Sequence, residues 1–190
     1  GKAAVMGIFF PRSDQERRAG GVFSWNTGVN YARQLERSGR SAFVEHHYRR
    51  AGLKLGEDLK RLAAAPRIAA DPQAVDYLRR NYSPTGRIAD PVLTLHNTDD
   101  AMTMVTKEAA LAKLVRDAGK STLLRQLYVG RAGHCDFAPG ELVASVQALD
   151  HRVTTGRWGD LSPRALNARA NGPGHPPAFV SFQPAAFLRP

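Results

Sequence analysis

Cysteine is almost missing from this 190-residue chain: Cys135 stands alone. That excludes a disulfide within the chain and says little about compartment. No run of about 18 apolar residues occurs, so no segment reads as a membrane-spanning helix. No leader is legible either. Gly1-Lys2-Ala3-Ala4-Val5-Met6 carries one basic residue and a short apolar stretch, then meets Phe9, Phe10, Pro11 and charged residues. A secretory signal would show a small-residue cleavage site there. An initiating Met is also absent, as in a processed, truncated or partial chain or one whose first Met was removed. There is no internal repeat, no paired cysteine and no His-x-x-x-His spacing, so no metal signature is present and no cofactor is implied.

Acidic residues are scarce relative to basic ones, 17 against 27, for a formal charge of +10. Such an excess can serve an acidic partner such as nucleic acid. Here no Lys/Arg run of five occurs, and the pairs Arg17-Arg18, Arg49-Arg50 and Arg79-Arg80 lie in separate segments. The charge reads as a spread surface, and nucleic acid is not the favoured partner. With 43% hydrophobic residues the chain can bury a core of ordinary size.

Two regions and a tail emerge. Residues 1–85 read as a run of short helices. Val29, Ala32 and Leu35 share a face within 29–37; Phe43, Val44, His47, Tyr48 and Ala51 do so within 41–51, and Leu55, Leu59 and Leu62 within 55–64. Asp71-Pro72 predicts a helix start, with Asp as N-cap and Pro at the first helical position. Residues 86–158 change period. Pro91 to His96 is a nearly continuous apolar run, the pattern of a strand covered on both faces. Lys107 to Ala118 reads as a helix, Ser121 to Val129 as a second strand, Gly130 to Pro139 as a loop, and Glu141 to Leu149 as a further helix. Strand, helix, strand, helix predicts a parallel sheet covered by helices. Residues 159–190 hold six of the twelve prolines and are expected to form an extended surface tail.

Chemistry is expected at the carboxyl ends of the two strands, where α/β sheets collect reactive groups. His96-Asn97-Thr98-Asp99-Asp100 follows the first strand. Gly130-Arg131-Ala132-Gly133-His134-Cys135-Asp136-Phe137 follows the second. An acid, a helix and then a His is the chain order of a hydrolase triad. A serine hydroxyl is a poor nucleophile until a neutral imidazole takes its proton, and the imidazole needs a carboxylate on its other nitrogen. Asp99-Asp100 taken alone would serve as a turn or helix cap, and a His after a Gly would serve as a surface polar residue. Cys135 next to His134 reads as a buried cysteine, since neighbours in extended chain point oppositely. His96, Asp99, Asp100, His134 and Asp136 match no metal-ligand spacing. His46 and His47 are neighbours on a helix, about 100° apart, and do not converge on one ion.

The stretch from Pro91 to Asp100 resembles the late-strand motif of α/β-hydrolases, a Pro, an apolar strand and then His-Gly-Thr-x-Asp, with Asn97 where that family has Gly. Gly133-His134-Cys135-Asp136-Phe137, followed by Glu141, resembles its catalytic-histidine loop. The resemblance covers residues 88–158, and the helical stretch before it resembles the cap that many such enzymes carry. It implies the carboxyl-terminal part of an α/β-hydrolase parallel sheet, incomplete here and preceded by a helical cap. Asp100 would be the catalytic acid, with Asp99 the alternative, and His134 the base. A small-molecule ester would be the substrate. Trp25 and Tyr31, read from the sequence alone, either line a substrate cleft beneath the cap or pack within the cap itself. Similar proteins are often bacterial and secreted.

The nucleophile is the departure. None of the serines, at 13, 24, 38, 41, 83, 121, 145, 162 and 181, sits in a Gly-x-Ser-x-Gly frame. In the family's order it comes before the acid, so the resemblance implies a missing amino-terminal half that carries it. This chain alone is expected to be inactive. A peptidase, a carbon–carbon hydrolase and a non-catalytic hydrolase-like module that binds a polyanion through its basic surface are the rival readings.

Overall fold

The computed structural model describes residues 12–187. The leader reading at residues 1–6 and the last three residues of the expected tail lie outside that range. The chain divides into two compact units, whose described parts are residues 12–83 and 84–187.

The first unit is helical. A helix over residues 12–19 (α1) is followed by α2 (Tyr31–Arg37), α3 (Ser41–Arg50), α4 (Leu55–Ala64) and α5 (Pro72–Asn81). Local chemistry sets the starts. Asn30 caps α2 by accepting the Arg33 N–H at 3.0 Å, and Asp71 caps α5 by accepting the Gln73 N–H at 2.8 Å with Pro72 next in line. Hydrophobic burial is thin here: α2, α3 and α4 bury no residue fully, and α5 buries only Ala74. Polar ties substitute for part of that core. Asn26 accepts the Ile68 N–H at 2.6 Å on its side chain, donates its own N–H to the Ile68 carbonyl at 3.0 Å, and donates its amide to the Tyr31 hydroxyl at 2.9 Å.

The second unit is mixed α/β. Its sheet is β1 (Val92–Asp99), β2 (Leu124–Ala132) and β3 (Phe179–Val180), in that spatial order. β1 and β2 are parallel and joined through α6 (Thr106–Asp117). α7 (Pro139–Thr155) and α8 (Pro163–Arg169) follow. The core is Leu127, Val129, Ala144, Leu166, Ala170 and Phe179, with Leu93, Leu95 and Phe137 packed against it. Glu108 of α6 ties that helix to both parallel strands, its carboxylate accepting from Thr94 Oγ1 and Gln126 Nε2, each at 2.5 Å.

Four expectations need correction. The second strand starts at Leu124, after a 3₁₀ turn over Ser121–Leu123, and runs on to Ala132, into the segment expected to be loop. The following helix begins at Pro139 and extends to Thr155, ending on left-handed Gly156. The expected surface tail contributes to the core. Ser162 caps α8 by accepting the Ala165 N–H, Pro163 occupies the first turn, Leu166 is 1% exposed, and Phe179 is buried in β3. Proline at the start of a helix favours it, so a proline count misreads this segment. β3 runs antiparallel to β2, pairing Tyr128 with Val180 and Val129 with Phe179, so the sheet is mixed and not wholly parallel.

Candidate active site

The two strand ends sit side by side because β1 and β2 are parallel and in register from Val92↔Leu124 to Asn97↔Val129. The register then slips, so that Asp99 pairs with Ala132. One extra residue on β2 marks a bulge, a common device for re-aiming a side chain next to a site. Asp100 and His134 emerge just beyond it.

Their side chains meet. His134 Nδ1 lies 2.7 Å from Asp100 Oδ2. The other carboxylate oxygen, Oδ1, accepts the backbone N–H groups of Met102 at 2.7 Å and Thr103 at 2.8 Å. The Asp100 side chain is only 4% exposed, whereas that of His134 is 40% exposed. Burial alone would raise the Asp100 pKa. The Thr103 N–H, His134 and the Met102 N–H outweigh it and hold the carboxyl below its ordinary range. An ionised Asp100 is an acceptor only, so Nδ1 carries the proton of a neutral His134 and Nε2 keeps its lone pair. Asp99 is placed differently. Its carboxylate accepts from Thr98 Oγ1 at 2.9 Å, its carbonyl takes the Gly133 N–H at 3.3 Å, and the residue is exposed.

The histidine loop is tightly folded. Gly133 has φ +131°, in the region that favours glycine, and Cys135 adopts φ +53°, unusual for a residue with a side chain. This corrects the reading of Cys135 as buried in extended chain: it is exposed, and its Sγ is 3.7 Å from His134 Nε2. The turn at Cys135 brings the two neighbouring side chains to the same side. Asn97, 1% exposed, faces the loop from β1. Its Nδ2 donates to the Asp136 carbonyl at 3.0 Å, and its Oδ1 accepts the Asp136 N–H at 3.2 Å.

Beneath the loop, Arg131 pairs with Glu141 at 2.9 and 3.2 Å and also donates to the carbonyls of Asp136 and Pro176. Glu141 is fully buried and accepts the N–H groups of Ala138 at 2.7 Å and Ala178 at 2.8 Å. Burial opposes its ionisation, but Arg131 and those two N–H groups hold its carboxyl below the ordinary range. Sequence reasoning noted Glu141 only as part of a motif and assigned Asn97 and Arg131 no role. The signal available was a polar residue on each apolar strand, which a buried strand tolerates only with partners.

Trp25 and Tyr31 belong to the helical unit. Tyr31 lines a cavity of about 310 Å³ with Val29, Leu59 and Arg67, whose guanidinium lies 5.0 Å from the Tyr31 ring. Trp25 is exposed and is not among the lining residues of that cavity. His96 is buried, with Nδ1 2.7 Å from the Asn97 carbonyl oxygen. Among the described residues, no group of three or more His, Cys, Asp or Glu side chains is arranged to hold a metal ion. No helix among them is long and apolar enough to cross a membrane. Of the basic pairs, Arg17 and Arg18 bind Asp14, Arg49 binds Glu45 and Arg80 binds Asp76, each within its own helix.

The chain is 32% identical over 158 residues, 80% of its length, to an o-phthalyl amidase of Xanthobacter agilis. That relative is, by its name, a hydrolase. The chain spans about a third of the relative's length, 34%. No family model and no solved structure matches.

Proposed function

We propose that this chain supplies the acid and the base of a Ser-His-Asp acyl hydrolase of α/β-hydrolase architecture, with Asp100 as the acid and His134 as the base. The observation that carries the reading is the 2.7 Å contact between His134 Nδ1 and an Asp100 carboxylate already fixed by two backbone N–H groups. Asp100 holds the imidazole in one tautomer and supports the imidazolium that forms in the reaction. His134 Nε2 takes the proton from an attacking hydroxyl and returns it to the leaving group. Asp100 stays ionised throughout.

None of the chain's serines sits in the frame of a nucleophile elbow. The proposal therefore assigns the nucleophile, and the oxyanion-binding amide beside it, to sequence other than these 190 residues, and predicts no turnover from this chain alone. The substrate is a small carboxylic ester or amide. The resemblance to α/β-hydrolases suggests esters, and the relative's name adds amides of an aromatic acid.

The test joins the chain to the sequence that precedes it and measures hydrolysis of aryl esters and phthalyl amides. His134→Ala is expected to lower turnover by at least about 1,000-fold, as removal of a triad member does. Equal turnover in wild type and His134→Ala sinks the proposal.

A further inference from the structure

We infer that Asn97 is a positioning residue for His134, setting the histidine loop against the acid from the acid's own strand; this rests on the hydrolase reading above. His134 has one side-chain tie to a carboxylate, to Asp100; its Nε2 lies 3.7 Å from Cys135 Sγ, and its side chain is 40% exposed. Its place must come from the backbone on either side of it. Before it, the Gly133 N–H donates to the Asp99 carbonyl at 3.3 Å. After it, both backbone groups of Asp136 are taken by the Asn97 carboxamide, at 3.0 and 3.2 Å. Arg131 reaches the same Asp136 carbonyl at 2.8 Å.

Both struts, Asp99 and Asn97, therefore stand on β1 within three residues of Asp100. The acid and the loop that holds the base share one short stretch of strand as their frame, so a shift of β1 carries both together. A carboxamide is the side chain this junction needs. It carries a donor nitrogen and an acceptor oxygen on a single carbon, and so reaches the carbonyl and the N–H of one residue together. Alanine or glycine at 97 leaves the Asp136 N–H without this partner and its carbonyl with Arg131 alone. Aspartate keeps the acceptor but turns a second oxygen toward the Asp136 carbonyl. Asn97 is only 1% exposed, and an unmatched buried amide is costly, so its orientation is fixed by these bonds.

Cys135 gives a direct readout, because it is the chain's single cysteine, is exposed and lies 3.7 Å from His134 Nε2. The rate of its alkylation by iodoacetamide is measured by mass spectrometry across the neutral pH range, on the full chain at low micromolar concentration. Wild type and His134→Ala define the part of the profile that depends on the imidazole. In Asn97→Ala that part is expected to fall roughly tenfold or more, short of the ~100-fold that a 1 Å misplacement costs a reacting geometry. Asn97→Asp, which keeps one of the two bonds, is expected to fall between. A wild-type profile in folded Asn97→Ala overturns the inference. If Asn97→Ala does not fold, a wild-type profile in Asn97→Asp does so instead. Coincident profiles for wild type and His134→Ala also overturn it, since the imidazole would not face the loop as described. None of these readings depends on turnover, so failure of the hydrolase proposal shows separately, in the ester and amide assays.

Discussion

Arg131 and Glu141 meet through two nearly parallel bonds, 2.9 and 3.2 Å, with Glu141 fully buried and the Arg131 side chain 15% exposed. The pair joins the end of β2 to the first turn of α7, and through Ala178 and Pro176 it also fastens the segment that leads into β3. Removing one partner of such a pair strands the other charge. Glu141→Ala is therefore expected to destabilise the second unit by about 3–5 kcal/mol. Urea denaturation followed by far-UV circular dichroism measures it. A loss below about 1 kcal/mol would mean that Arg131 is not left stranded and that the pair does not hold β2 to α7.

Acid should weaken the same region. Asp100 and Glu141 both ionise below their ordinary range in the folded chain. As pH falls, the unfolded chain takes up their protons first. The stability they contribute is thus fully present above the unfolded values, near pH 4, and drains away as pH drops through the lower folded values. Urea midpoints are expected to be insensitive to these two groups between about pH 5 and 7 and to fall below about pH 4. The double variant Asp100→Asn/Glu141→Gln should start less stable and lose less on acidification. An unchanged acid slope in that variant would falsify the assignment.

Legibility followed local chemistry. Asp71-Pro72 announces its helix because cap and proline act within one turn, and the strand, helix, strand order over 91–129 announces a parallel pair. The order acid, helix, His likewise puts Asp100 and His134 at neighbouring strand ends, where their side chains touch. What it leaves undecided is which of two adjacent carboxylates faces the imidazole, because that depends on the bulge at Asn97–Asp99. Ser162-Pro163 carries the same cap grammar as Asp71-Pro72, but a proline-rich surrounding hid it. Leu166 and Phe179 enter the core through contacts distant in sequence, which periodicity over seven- and two-residue elements cannot signal. Cys135 misled because side-chain alternation holds only for extended chain, and its φ is +53°. Asn97 stands where the resemblance has glycine, and its partner lies 39 residues away.

The second unit has an apolar face to spare. Leu142, Val143, Val146 and Val153 are each about half or more exposed along one side of α7. A continuous exposed apolar stripe favours association. The isolated chain is expected to be larger than a monomer at high micromolar concentration by light scattering, and Val146→Lys with Val153→Lys should shift it toward monomer. A sharp monomeric peak at all concentrations, with a cooperative melt, would overturn this.

Gly140 offers a test in which two effects oppose. It lies in the first turn of α7, where alanine is favoured over glycine by up to about 1 kcal/mol. An added Cβ would meet the Ala170 carbonyl oxygen at 1.9 Å and its carbon at 2.7 Å. Both are backbone atoms just past α8, so no side chain can swing aside. Relief requires α7 and the end of α8 to part, which loosens Ala170 and Leu166 in the core. Overpacking of this kind costs about 1–3 kcal/mol, and backbone displacement sits at the upper end. The clash therefore wins, and Gly140→Ala is expected to destabilise the unit by about 1–2 kcal/mol net, lowering the thermal midpoint by a few degrees. A midpoint equal to or above wild type would show that α8 is not seated on α7 at this point.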